Sequence, residues 1–172
     1  GCVPGAGAPA QGQRGQASAG AGPSGLRRRR LLSYPGSAYL KVAEGCGNRC
    51  SYCAIPLIRG DLASRPRAEV VDEARGLLAA GVHELVLIAQ DLGSYGLDRG
   101  AAELPDLLAD LSALPGTFWV RLLYVHPDHF PPGVLPVMRD DPRFLPYLDV
   151  PFQHASPAIL SAFLFVVTGN FT

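Results

Sequence analysis

Three cysteines, Cys46, Cys50 and Cys53, fall within eight positions as CxxxCxxC, and a fourth, Cys2, stands far away. Pairing within so tight a group would leave an odd thiol, so a disulfide framework does not account for them, and reduced thiolates that bind metal do. A structural zinc asks for four ligands, commonly as two spaced pairs, but no Cys or His pair follows within thirty residues and His83 is alone there. A cubane iron–sulfur cluster held by three thiolates instead leaves one iron open. An open iron can take the amino and carboxylate groups of a small molecule, which turns a structural cluster into a reactive one. Gly45, Gly47 and Asn48 favour a wrapping loop over a helical face. Zinc and inert buried thiols are the remaining alternatives.

The elements that must position this loop begin at Ser37. Four apolar strand segments are predicted, Tyr39 to Glu44, Glu84 to Ala89, Trp119 to Tyr124 and Tyr147 to Val150, each followed by helix signals or a polar loop leading to them. Pro66 opens a helix on which Val70, Val71, Ala74, Leu77 and Leu78 share a face, and Gly81 sits where a left-handed cap is wanted. The second strand reads as covered on both faces. Leu104, Leu107, Leu108, Leu111 and Leu114 line a second helix, ended by Pro115-Gly116, whereas Pro131, Pro132 and Pro136 permit only a short helix before Arg139. Ser156-Pro157 reads as the cap and first residue of another helix.

This β-then-α repetition predicts an α/β fold with a parallel sheet and right-handed crossovers, either doubly wound or part of a barrel. In both, ligand-binding groups gather at the carboxyl ends of the strands. The cysteine loop, Gln90-Asp91, His126 and Gln153-His154 all follow predicted strands.

Length and composition set the surroundings. With 172 residues and 48% hydrophobic content, one core is expected. No apolar run is long enough for a bilayer and no signal-peptide pattern opens the chain, so a cytoplasmic protein without membrane association is expected. The formal charge of zero conceals an asymmetry: residues 1–33 hold five arginines and no acid, +5, leaving −5 for the rest. Gly, Ala, Pro, Gln and Ser dominate as far as Gly25, which predicts disorder. The run Arg27 to Arg30 would serve as a solvated linker or as a phosphate contact with RNA or a ribosome.

The stretch Glu44-Gly45-Cys46-Gly47-Asn48-Arg49-Cys50-Ser51-Tyr52-Cys53, with Ile55-Pro56 and Arg59-Gly60, resembles the methylthiotransferase branch of the radical S-adenosylmethionine superfamily. Residues 59–66, 90–96 and 146–157 are more similar to the RimO type than to the tRNA-modifying MiaB type, which would more often show Gln-Asn in the second stretch and Gln-Ser-Gly in the third. The resemblance runs from about Arg29 to Leu160 and implies a partial (β/α) barrel of four βα units at 37–160, between a non-native or disordered segment at 1–36 and a divergent tail at 161–172. Gly1-Cys2-Val3 resembles the last cluster cysteine of the family's N-terminal domain, but Pro4 to Gly25 and Ser161 to Thr172 depart from the family, so the chain reads as a fragment with foreign or frame-shifted flanks.

The resemblance also implies an activity. A [4Fe-4S] cluster on Cys46, Cys50 and Cys53 cleaves S-adenosylmethionine, and a methylthio group is installed on the β-carbon of an aspartate in a small-subunit ribosomal protein. A second [4Fe-4S] cluster would deliver sulfur, and an electron donor such as a flavodoxin would feed the first. By the same analogy Tyr52 would pack near the adenine, or serve as an ordinary aromatic. Gln90, Asp91 and Gln153 would bind the cofactor, with a loop start that satisfies backbone amides as the other reading of Gln90-Asp91. Arg121 would meet a carboxylate of cofactor or substrate, or pair with Asp149. His83, His126 and His129 receive no role, and no residue is singled out as catalytic. A MiaB-like enzyme, a zinc-stabilised module and an inactive truncated product are the competing readings.

Overall fold

A computed structural model describes residues 35–163, with side chains described as far as Leu160. The expectations for residues 1–34 and 164–172 lie outside the described residues. Four strands, β1 (Ser37–Lys41), β4 (Glu84–Ile88), β5 (Trp119–Leu122) and β6 (Phe144–Leu148), form one parallel sheet in that order. A doubly wound sheet reverses its strand order at a switch point; here neighbours in sequence are neighbours in space throughout, the arrangement of a barrel wall. The crossovers run through α2 (Arg67–Ala79), α3 (Leu104–Ser112) and α4 (Val134–Asp140), and α5 (Pro157–Phe163) follows β6.

Period-two alternation decides what each sheet face does. Ala38, Leu40, Leu85, Leu87, Val120, Leu122 and Phe144 point to one side, where they pack with Val70, Ala74 and Leu77 of α2, Leu104, Leu107, Leu108 and Leu111 of α3, and Val134 of α4. The opposite side carries exposed Tyr39, Trp119 and Tyr147. Central β4 matches the expectation of burial on both faces: Val86 lies in register between Tyr39 and Arg121 and is itself buried.

Strand limits differ from the sequence expectation for identifiable reasons. The first strand divides at Val42, whose N–H donates to Ile88 O at 3.0 Å while its carbonyl accepts from Arg65 N at 2.9 Å. The chain then forms β2 (Ala43–Glu44), antiparallel to β3 (Ala63–Ser64). Between these lies α1 (Ile55–Arg59), a short helix inside the expected cysteine loop. β5 stops at Leu122 because Tyr124 takes a left-handed φ of 62°. The fourth strand starts at Phe144 rather than Tyr147, with Pro146 admitted at a sheet edge. Pro66 is extended and caps α2 instead of occupying its first turn.

Candidate functional site

The cysteine loop leaves β2 through Gly45, at φ 71°, where a Cβ would come within 2.1 Å of the Asp61 carbonyl oxygen. Only glycine fits that approach. Cys46 N donates to Gly60 O at 3.2 Å, closing the base of the loop, and Cys53 N donates to Cys50 O at 3.0 Å, forming a turn at its tip. All three cysteines are free thiols; Cys46 is buried and the others are half-buried. Burial pushes the Cys46 thiol up against an opposing hydrogen bond at Asn48, and Asp91, Cys50 and Cys53 add to the rise. Burial followed by Cys53 raises Cys50 in the same way. Negative charge on neighbouring sulfurs therefore opposes ionisation of Cys46 and Cys50 until a cation joins them.

Among the described residues no three His, Cys, Asp or Glu side chains close around a single ion. A cubane cluster assigns each thiolate to its own iron, so its ligands stand wider apart than those of one metal ion. The donor set fits such a cluster in number and chemistry. It does not make a zinc site with His83, which precedes β4 at the amino end of the sheet and donates its backbone N–H to Gly36 O at 2.8 Å.

Asp91 lies at the carboxyl end of β4 and is only 3% exposed. Its Oδ1 accepts from Gly93 N at 3.0 Å and from His126 N at 3.0 Å. Its Oδ2 accepts from Ser94 Oγ at 2.5 Å and from the Nδ1 of His129 at 2.7 Å, and Asn48 Nδ2 approaches it at 3.4 Å. His129 Nδ1 and Ser94 Oγ are 2.9 Å apart, so an Nδ1–H shared between Asp91 and Ser94 completes a closed triangle. The serine proton points at the carboxylate and the histidine donates, which is not a base-activated nucleophile. One carboxylate thus ties the loop after β4 to the loop after β5 and reaches the cysteine loop through Asn48. Burial alone would push the Asp91 carboxyl up, but hydrogen bonds from His129, Ser94 and the His126 amide outweigh it and hold it below the ordinary range. The bond to Asp91 raises His129 against the opposing effect of burial. Gly93 permits the clasp, since a Cβ there would lie 2.5 Å from His129 O.

Assigning no role to His126 and His129 overlooked this centre. The spacing H-x-x-H after a strand was the available signal, and the tie to Asp91 is visible only in three dimensions. His126 Nδ1 accepts from Asp128 N at 3.3 Å, and its Nε2 is buried without a hydrogen-bond partner among the described residues. Asp91 takes the loop-organising role that the sequence left as an alternative.

Gln90 borders a cavity of about 420 Å³ at the carboxyl ends of β1 and β4, lined also by Tyr39, Lys41, Glu44, Arg59 and Tyr124. Its Oε1 is buried and has no hydrogen-bond partner among the described residues. Tyr52 is 53% exposed and its hydroxyl is hydrogen-bonded to Cys50, so it is not a core aromatic. Gln153 is exposed and donates to Pro151 O at 3.2 Å, and His154 Nδ1 accepts from Ser156 N at 2.8 Å. Arg121 pairs with Glu84 at 2.8 Å and lies over the Tyr147 ring at 5.7 Å. The expected Asp149 partner is corrected by register: Glu84 sits on the neighbouring strand two residues before Val86, the register partner of Arg121, and so on the same sheet face.

Parallel strands in barrel order, with a three-thiol loop and a cavity at their carboxyl edge, define a partial (β/α) barrel. The same fold occurs in the radical S-adenosylmethionine methyltransferase TsrM from Kitasatospora setae, solved with tryptophan substrate and a cofactor analogue: TM-score 0.59, 24% identity, 74% of this chain and 24% of that one. A second TsrM structure, with cobalamin and a [4Fe-4S] cluster bound, gives a TM-score of 0.58. No family model matches the sequence.

Curated relatives are more specific. The chain is 53% identical over 124 residues to the ribosomal protein uS12 methylthiotransferase RimO of Moorella thermoacetica, covering 72% of this chain and 29% of the relative. It is 51% identical over 131 residues to that of Syntrophomonas wolfei, covering 76% and 30%, and 45% identical over 149 residues to that of Treponema denticola, covering 80% and 32%. The matched region is similar to the RimO-type methylthiotransferases, and the chain spans about 30% of the length of the curated relatives it matches.

Proposed function

We propose that residues 37–160 are a partial radical S-adenosylmethionine core domain serving an enzyme that adds a methylthio group to the β-carbon of an aspartate in ribosomal protein uS12. The observation that carries this reading is the placement of Cys46, Cys50 and Cys53, three free thiols in one loop beside the Gln90 cavity, within a segment about half identical to RimO enzymes. Cys46, Cys50 and Cys53 would hold a [4Fe-4S] cluster. When bound, that cluster supplies the electron that cleaves S-adenosylmethionine and an open iron for the amino and carboxylate groups of the cofactor.

The chain's own residues bind and orient. Gln90 Oε1, an acceptor buried without a partner among the described residues, would take an N–H of the cofactor's amino group. Tyr52, beside Cys53 and half in solvent, would shield the adenine, and Gln153 would approach from the loop after β6. Asp91 organises the loop that follows Gln90 and reaches the cysteine loop through Asn48. A small redox protein such as a flavodoxin would provide electrons. The second [4Fe-4S] cluster requires three cysteines, and Cys2 is the sole cysteine outside the loop. The arginines at 27–30 would meet ribosomal phosphates. No helix among the described residues is long and apolar enough to cross a membrane.

Anaerobic reconstitution with iron and sulfide tests this directly. The expected product is a brown protein with about four irons per chain that yields 5′-deoxyadenosine from S-adenosylmethionine on reduction. A colourless chain with stoichiometric zinc would rule the reading out.

A further inference from the structure

The cavity beside Gln90 contains a positive charge that the cofactor chemistry does not use. Lys41 leaves the end of β1 on the open sheet face, and Arg59 closes α1; both turn to one carboxylate, Glu44. Lys41 Nζ bonds Glu44 Oε2, while Arg59 Nη1 stands 3.4 Å from Oε1, an oxygen that is buried and has no hydrogen-bond partner among the described residues. Two cations share one anion, so the lining carries a net charge of +1. Both cations keep about half their side-chain surface open, at 50% and 55%.

The remaining walls are Tyr39, Ile88, Ala89, Leu123 and Tyr124. Tyr124 stands in the left-handed region at φ 62°, held there by Leu92 N donating to its carbonyl at 2.8 Å. For a bulky residue this conformation is strained, and such strain concentrates where a side chain must be aimed at a ligand. It sets an aromatic ring against the charged wall.

In the proposed function the cofactor's carboxylate is committed to the open iron, and its amino group answers Gln90. The excess cation is then left for the other reactant. We infer that Lys41 and Arg59 receive an acidic side chain of the polypeptide substrate, its carboxylate balancing the charge that Glu44 leaves over while Tyr39 and Tyr124 flank its backbone. Lys41 and Arg59 are on this account specificity-determining residues, and the inference rests on the proposed function. Glu44 competes with the substrate for both cations.

That competition makes the test directional. The reconstituted 172-residue chain, loaded with S-adenosylmethionine, is titrated with a fluorescent ten-residue peptide bearing one central aspartate and with its asparagine counterpart. The aspartate peptide should bind about tenfold or more tightly, the scale of a charge-assisted hydrogen bond. Lys41→Gln and Arg59→Gln should each bring that ratio towards one, whereas Glu44→Gln should raise it. A residue acting only to hold the fold would weaken binding in all three variants. Equal binding of the two peptides by the parent chain, or a lower ratio in Glu44→Gln, overturns the inference. So does a Lys41→Gln variant that keeps the ratio but loses affinity for S-adenosylmethionine, since the cation would then belong to the cofactor. Loss of peptide discrimination with 5′-deoxyadenosine formation intact removes only this inference; absence of a cluster removes the proposed function with it.

Discussion

The cysteine loop and the Asp91 centre lie at the same sheet edge and are built in opposite ways. The loop is anchored by backbone bonds at its base and tip, and the ion pair of Arg49 with Asp61 at 3.1 Å has both partners more than 70% exposed. The Asp91 centre is buried and satisfied, with four donors from two loops converging on one carboxylate. The difference teaches that the two regions owe their order to different things. A loop with little side-chain anchoring can take much of its order from a ligand it binds, whereas loops joined through one buried carboxylate are set beforehand by its hydrogen bonds.

The strongest challenge to that contrast is Asp91→Ala. It leaves His129, Ser94 and two amides without their acceptor and should destabilise the apo chain by about 3–5 kcal/mol in urea denaturation, the cost of opening a buried charged pair. A loss below about 1 kcal/mol would show that the centre is no more fixed than the cysteine loop. His129→Ala removes one donor and should cost less, about 1–3 kcal/mol.

Changing pH sharpens the same comparison. Asp91 is lowered on folding, so its contribution is present above the unfolded carboxylate value of about 4 and is lost as pH falls through the folded value. His129 is raised, so its contribution is complete below the unfolded value of about 6.5 and is lost as pH climbs through the folded one. The stability difference between the parent chain and Asp91→Asn should therefore be greatest between about pH 4 and pH 6.5. A difference flat from pH 3 to pH 9 would show that the pair does not ionise as its geometry indicates.

Replacing both Cys50 and Cys53 with Ser should abolish iron retention while shifting the stability of the apo chain by no more than about 1 kcal/mol. Iron content and urea midpoints on the same samples check both halves. The smallest effect belongs to Arg49→Ala at the exposed pair, expected at about 0–1 kcal/mol and screened by salt.

Much of this arrangement was legible beforehand. The apolar faces of α2 and α3 appear as leucine and valine spacings because a helix packed on a sheet must present one stripe. The cysteine spacing identified the candidate cluster because a group of three thiolates within eight residues has few other uses. Less was legible where a residue's partner is remote in sequence. Arg121 finds Glu84, not Asp149, because strand register, invisible in a single sequence, sets which side chains adjoin. His126 and His129 looked ordinary because their partner lies 35 and 38 residues away.

By itself the sequence determined the βα alternation, the cysteine loop and the relatives to which it is similar, since each is carried by local spacing or by consecutive residues. Tertiary structure alone decided that the sheet runs in barrel order, that Asp91 binds His129, and that Lys41, Glu44 and Arg59 share one cavity. Those outcomes depend on which strand edges pair and how far the loops between them reach. They are fixed by packing the whole domain, and no short stretch of chain encodes them.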